Sequence, residues 1–320
     1  MGALAPAALA LPFWGGARAW ARPPDTGLPS QAASNTDPGA IAAVTMEQFS
    51  ETVGTRPSGS WGAIRAREFI VHALQQYGYQ PAYQEFIAGR GDTRVQSANV
   101  VAVKPGDTAE TIVLGAHYDT VPGSPGAGDN ASGVGLLIEM AGRLADAPTP
   151  YTIAFVAFGA EKPGLYGSRY FLKALGASGR KAVMGMINLD RVAGGETLYV
   201  YGVEGEGSWL QKDILAAARM AGVTLATDAT LQLTPPVTAG QSYEVTGDHV
   251  PFAARGVPVA GFISAAAPLR PTRASFWPMD TPDDTVATLE RQRPGRARRQ
   301  LRDLATLLEV VLTSRLATEP

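Results

Sequence analysis

Four stretches of the chain carry apolar and β-branched residues almost without interruption: Thr111 to Ala116, Thr152 to Phe158, Ala182 to Leu189 and Val257 to Ile263. A strand with one solvated face alternates polar and apolar positions; these do not, so they are predicted to be strands covered on both faces. Weaker strand patterns occupy Gln80 to Phe86, Ala98 to Val103 and Leu198 to Tyr201. Between them the apolar spacing becomes helical. Ile64, Phe69, Ile70, Ala73 and Leu74 mark a helix over 62–78, and Val134, Leu137, Ile138, Ala141 and Leu144 mark another. Ser208 is placed to cap a helix carrying Leu210, Ile214, Leu215 and Ala218, and Leu301 to Leu312 forms a closing helix. Helices alternating with such strands predict an α/β protein with a parallel or mixed sheet between helical layers.

Composition narrows the chemistry. The 320 residues are 45% hydrophobic with a net charge of -2, which offers nothing to a polyanion, so nucleic acid is not expected as a partner. There is no cysteine, which removes disulfides, thiolate metal sites and thiol nucleophiles. With His72, His117 and His249 the only histidines, any metal site must be rich in carboxylates. The first 21 residues are small and apolar and end in Ala19-Trp20-Ala21, resembling a signal-peptidase site, although no Lys or Arg precedes Arg18. Export to the periplasm or exterior is the expectation. Pro23 to Gly39 has the composition of a linker, giving a leader and linker over 1–38 and one domain over 39–320. No later apolar stretch is long enough to span a bilayer.

Candidate site residues follow the strands. His117 and Asp119 end the Thr111 strand, Glu161 follows the Thr152 strand, Asp190 ends the Ala182 strand, and Asp129 lies in the loop before the Val134 helix. In a parallel sheet the carboxyl ends of strands share one edge, so these groups converge. His117, Asp129 and Asp190 supply the three protein ligands of a catalytic zinc. Asp119 is placed to hold the second imidazole nitrogen, and Glu161 to take a proton from the attacking water. Singly, each carboxylate has a plainer reading: Asp129 as a helix cap, Asp190 with Arg191 as a surface ion pair. His72, within its helix, reads as a packing or surface residue. The arginines from Arg291 to Arg302 read as a solvated helix face.

The segments GTRPSGS (54–60), GAHYDTVPGSPGAGDNASGVGLLIEMA, FGAEKPGLYGSRYF, INLD, GDHVPFAARGVPV and DTPDDT resemble, in this order, the M28 family of zinc aminopeptidases, whose fold also serves glutaminyl cyclases. The resemblance implies a three-layer α/β/α sandwich with a mixed, mostly parallel central sheet, and two adjacent zinc ions. It makes His117 and Asp190 ligands of the first zinc, Asp129 the bridging carboxylate, Asp119 the partner behind the ligands and Glu161 the general base. Asp248 and His249 take supporting places near the pocket. Two ligand positions and one neighbour depart from the pattern. Lys162 stands where the family has a second glutamate ligand, and Asp280 where it has a histidine; Met279 stands where an aromatic is common. These changes fall on the second metal. Charge counting agrees, since one zinc with Lys162 balances Asp129, Asp190 and Asp280, whereas a second zinc beside an ammonium leaves excess positive charge. The expectation is therefore one zinc rather than two, with Lys162 paired to Asp129 or Asp280. Three readings stay open: an aminopeptidase-like exopeptidase acting on peptide or aminoacyl substrates, a catalytically silent binding protein of the same fold, and glutaminyl cyclase-like chemistry. Substrate preference is carried by loops such as 228–246 and is not expected to be readable.

Overall fold

A computed structural model of the chain describes residues 37–233, 246–267, 269, 276 and 278–316. Most of the leader and linker, and most of the 228–246 loop, lie outside the described residues.

Among these, seven strands form one sheet: β1 (Ala82–Ala88), β2 (Val95–Lys104), β3 (Thr108–His117), β4 (Tyr151–Phe158), β5 (Val183–Leu189), β6 (Thr197–Gly202) and β7 (Val259–Ala265). Their order is β1-β2-β4-β3-β5-β7-β6. The central strands β4, β3, β5 and β7 pair in parallel, while β1, β2 and β6 join antiparallel at the flanks. The sheet is mixed with a parallel centre, and every predicted strand is present within three residues of its expected ends.

The sheet is covered on both faces because its central strands are apolar on both. Ile112, Leu114, Ala116, Phe155, Ile187 and Leu189 pack on one side, with α1 (Ala40–Gln48), α2 (Trp61–Gln76) and α3 (Ser132–Leu144). Residues of opposite parity, Val113, Val156, Phe158 and Met186, face the other side, where α4 (Tyr166–Ala174) contributes Phe171 and Leu172. The short α5 (Gly176–Ala182) leads into β5, so Ala182 ends a helix rather than starting the strand. On the first face α6 (Trp209–Ala221) and α9 (Arg296–Thr313) complete the layer; α7 (Val250–Ala253) lies on the second, and α8 (Val286–Gln292) precedes α9. Phe252 of α7 meets Phe158 and Phe171 edge-on or tilted, with ring centroids 6.2 and 6.1 Å away.

Helix α1 carries no clear periodicity because it is buried on most sides, at Ile41, Ala42, Ala43, Thr45 and Met46, and its N-terminus is capped from a distance. The buried Glu139 carboxylate of α3 accepts from the main-chain N–H of Gly39 at 2.7 Å and of Ala42 at 2.8 Å. A side chain about a hundred positions away thus does what a local Ser or Asp does elsewhere.

Candidate metal centre

Parallel pairing aligns the functional loops. His117 is paired with Phe158, the last residue of β4, and Gly115 is paired with Asn188, a register that sets Asp190 beside His117. The three strand ends thus place His117, Glu161 and Asp190 on one edge. Asp129 reaches them from the loop before α3, through a cis Asp129–Asn130 peptide.

His117 Nε2 lies 3.0 Å from Asp129 Oδ1 and 3.3 Å from Asp190 Oδ1. All three side chains are buried, and their ligand atoms lie within 4.8 Å of one another. Zinc holding nitrogen and oxygen ligands tetrahedrally at about 2.1 Å separates them by about 3.4 Å, so this donor set fits the ion. Burial alone would lower the His117 imidazole, but Glu161, Asp129 and Asp190 outweigh it and hold the ring well above its usual range. Burial likewise opposes ionisation of Asp129 and Asp190. Lys162 and His117 nonetheless hold Asp129 well below the carboxylate range, and Arg191 and His117 lower Asp190.

Asp119 corrects one expectation. Its main-chain carbonyl, 3.0 Å from His117 Nδ1, accepts the ring's other N–H, while its carboxylate is 3.9 Å away. The carboxylate instead accepts from the amides of Glu161 at 2.9 Å and Lys162 at 3.1 Å, and from the Ser58 hydroxyl at 3.0 Å. Asp119 therefore ties the β3 and β4 loops together and fixes the imidazole through its backbone. The glycine-rich turn around it is held by Arg56. That buried guanidinium donates to the carbonyls of Tyr118 at 2.7 Å, Gly54 at 2.7 Å, Pro125 at 2.5 Å and Gly126 at 3.0 Å. It also lies over the Phe49 ring. Burial lowers Arg56 to about 10, so it stays charged at neutral pH.

Lys162 lies beside the ligands. Its Nζ is 2.7 Å from Asp129 Oδ2, 3.1 Å from Asp280 Oδ1 and 3.9 Å from Glu161 Oε2. It pairs with both candidate carboxylates, and although burial opposes its charge, Asp129, Glu161 and Asp280 raise it above the ordinary lysine value. Asp280 takes a left-handed backbone at φ 60 and is 37% exposed at its side chain. The methyl end of Met279 lies against Gly128, where a Cβ would overlap it. Glu161 is buried and raised to about 7 by desolvation, which Asp190 and Asp119 reinforce and His117 and Lys162 oppose. Its Oε2 has no hydrogen-bond partner among the described residues.

Several site residues were not expected from sequence. Asp284 accepts from the amides of Gly128 at 2.7 Å and Asp129 at 3.0 Å, orienting the Asp129 loop; burial raises it to about 6. Asp129 does not cap α3. Asn130 accepts from Gly133 N at 3.1 Å and donates to Leu189 O at 2.8 Å, leaving the Asp129 carboxylate to the site. The Asp190–Arg191 pair, 3.3 Å long, joins a buried carboxylate to a half-buried guanidinium rather than lying on the surface, and Arg191 lies over the Phe276 ring. This adds a cation that the charge count from sequence omits. The DTPDDT and GTRPSGS segments carried the signal for Asp284 and Arg56, but neither pattern says what the side chain touches.

His249 and Asp248 are buried behind the ligands. His249 Nδ1 lies 3.2 Å from Asn188 Nδ2 and 3.4 Å from the Tyr201 hydroxyl. Burial raises the Asp248 carboxyl well above its usual range. His72 lies half-buried on α2, as a packing or surface residue. Arg293 of the basic segment pairs with Glu196 at 3.1 Å, and Arg291, Arg298, Arg299 and Arg302 are exposed.

A family model described as peptidase family M28 matches residues 99–305. Aminopeptidase YwaD of Bacillus subtilis (strain 168) is 31% identical over 212 residues, 64% of this chain and 43% of that protein, so the chain spans less than half its relative's length. Among solved structures, a zinc aminopeptidase from Bacillus subtilis superposes with a TM-score of 0.71 at 19% identity, covering 86% of this chain and 94% of its own. A glutaminyl cyclase from an Acidobacteriales bacterium gives a TM-score of 0.69 at 24% identity, covering 86% and 93%. At these identities the structural likeness is one of fold.

Proposed function

The chain belongs to peptidase family M28, and on that footing we propose that it is a zinc-dependent exopeptidase that removes N-terminal residues from peptides using one metal ion. The observation that carries this reading is the cluster of His117 Nε2, Asp129 Oδ1 and Asp190 Oδ1, with Glu161 raised to about 7 on the same sheet edge. Zinc, when bound by these three residues, supplies a Lewis acid that polarises the scissile carbonyl. Glu161, buried on the same sheet edge, takes the proton of the attacking water and returns it to the leaving amine. The Asp119 carbonyl keeps His117 Nε2 turned toward the carboxylates. Asp280, partly exposed and 3.1 Å from Lys162, receives the substrate's α-ammonium. Lys162, paired with Asp129 and Asp280, stands in the second metal's place, and with Arg191 beside Asp190 it already supplies positive charge that a second zinc would only increase.

A second reading has an observation of its own. Lys162 already neutralises Asp129 and Asp280 without metal, as a silent binding protein of this fold would need. Glutaminyl cyclase chemistry ranks lower, because two of the ligand positions that the resemblance implies for it are Lys162 and Asp280.

One experiment separates these. The zinc content of the dialysed protein is measured by elemental mass spectrometry, and hydrolysis is followed on aminoacyl and dipeptide substrates. One zinc per chain is expected, with Glu161→Gln lowering kcat about 10²–10⁴-fold. Two tightly held zincs refute the one-metal reading. Absence of hydrolysis by the zinc-loaded parent refutes the enzyme and leaves the binding protein.

A further inference from the structure

Lys162 has more to offer than a balancing charge. An ammonium carries three N–H donors. One donates to Asp129 Oδ2 at 2.7 Å, and the ammonium also forms an ion pair with Asp280 Oδ1 at 3.1 Å. Held between two carboxylates, one of which is itself fixed through the Asp284 cradle of its loop, Nζ can neither swing away nor easily lose its charge. Glu161 Oε2 is 3.9 Å from it, too far for a direct hydrogen bond, and is itself uncommitted. A donor and a general base therefore stand side by side, close enough for one reacting group beside them to contact both. Lys162 also lines a cleft of about 530 Å³ whose walls include Ser58, Arg90, Thr120, Val121 and Tyr166. The Lys162 side chain, 16% exposed, thus stands between this cleft and the buried carboxylates.

We propose that Lys162 is a catalytic residue: an N–H of its ammonium not given to Asp129 donates to the scissile carbonyl oxygen as that oxygen becomes an oxyanion, and the adjoining cleft receives the substrate beyond the scissile bond. This deepens the exopeptidase reading and rests on it. The water oxygen forms a bond to the carbonyl carbon, the C=O π pair moves onto the carbonyl oxygen facing Nζ, and the water proton passes to Glu161 Oε2. On collapse the C–N bond breaks and that proton goes to the leaving nitrogen. Lys162 gives up no proton; it supplies a fixed positive charge where negative charge develops.

The test uses the zinc-loaded full chain and two probes: a dipeptide analogue with an anionic, tetrahedral phosphonate in place of the scissile amide, and free leucine as a product. Affinities are measured by isothermal titration, with zinc content and thermal melting as controls. Lys162→Met is expected to weaken the phosphonate about 100-fold and leucine by less than about threefold, while Lys162→Arg holds the phosphonate within about tenfold of the parent. If Lys162→Met does not fold, Lys162→Gln makes the same comparison. Unchanged phosphonate affinity in a folded, zinc-loaded variant overturns the proposal, as does equal loss of both probes, which marks a merely structural lysine. The two failures stay distinct. A parent that binds the phosphonate through Lys162 but cleaves no peptide defeats the exopeptidase reading alone. An active parent whose phosphonate binding ignores Lys162 defeats this proposal alone.

Discussion

Glu161→Gln should stabilise the metal-free protein at alkaline pH and leave it nearly unchanged in acid. Burial raises the Glu161 carboxyl from 4.5 to about 7. Below pH 4.5 the group is protonated in both folded and unfolded chains and contributes nothing. Between 4.5 and 7 the folded chain keeps a proton that the unfolded chain has released, so stability falls as pH rises; above 7 the penalty is complete. Each pH unit of separation is worth about 1.36 kcal/mol, so the gap amounts to about 3 kcal/mol. Glutamine has the shape of the protonated acid and carries no such penalty. Urea unfolding of chelator-stripped parent and variant, from pH 4.5 to 8, measures the difference directly. The variant's advantage should grow from near zero to about 3 kcal/mol across that range. A difference independent of pH, or a parent more stable than the variant at pH 8, would refute the claim that desolvation governs Glu161.

The departures from the family pattern can be reversed. Lys162→Glu combined with Asp280→His should raise the zinc content from one to two per chain, read by elemental mass spectrometry; a value still at one would show that other features exclude the second ion. Asp284→Ala leaves the buried amides of Gly128 and Asp129 without their acceptor. It should destabilise the protein by about 2–4 kcal/mol in denaturant unfolding and weaken zinc about 10–100-fold in chelator competition. Unaltered zinc affinity there would mean that the Asp129 loop holds its shape without Asp284.

The layered fold was legible because β3, β4, β5 and β7 are apolar on both faces, a pattern that follows from burial and needs no knowledge of neighbours. The grouping of His117, Glu161 and Asp190 was legible for a related reason: parallel strands bring their carboxyl ends to one edge whatever their separation in sequence. Lys162 and Asp280 stood out only against the family pattern.

What the chain alone determined was the sheet, its covered faces and the set of groups at its edge, since these depend on residue type and spacing. Which oxygen of Asp119 meets His117 was decided by tertiary structure, because main-chain and side-chain acceptors of one residue look alike in a sequence. The same holds for α1, whose cap is Glu139, for Arg56, whose partners are four backbone carbonyls, and for Asp284 behind Asp129. Each of these contacts joins positions brought together only by packing, and a buried polar group takes whichever partner the packing supplies.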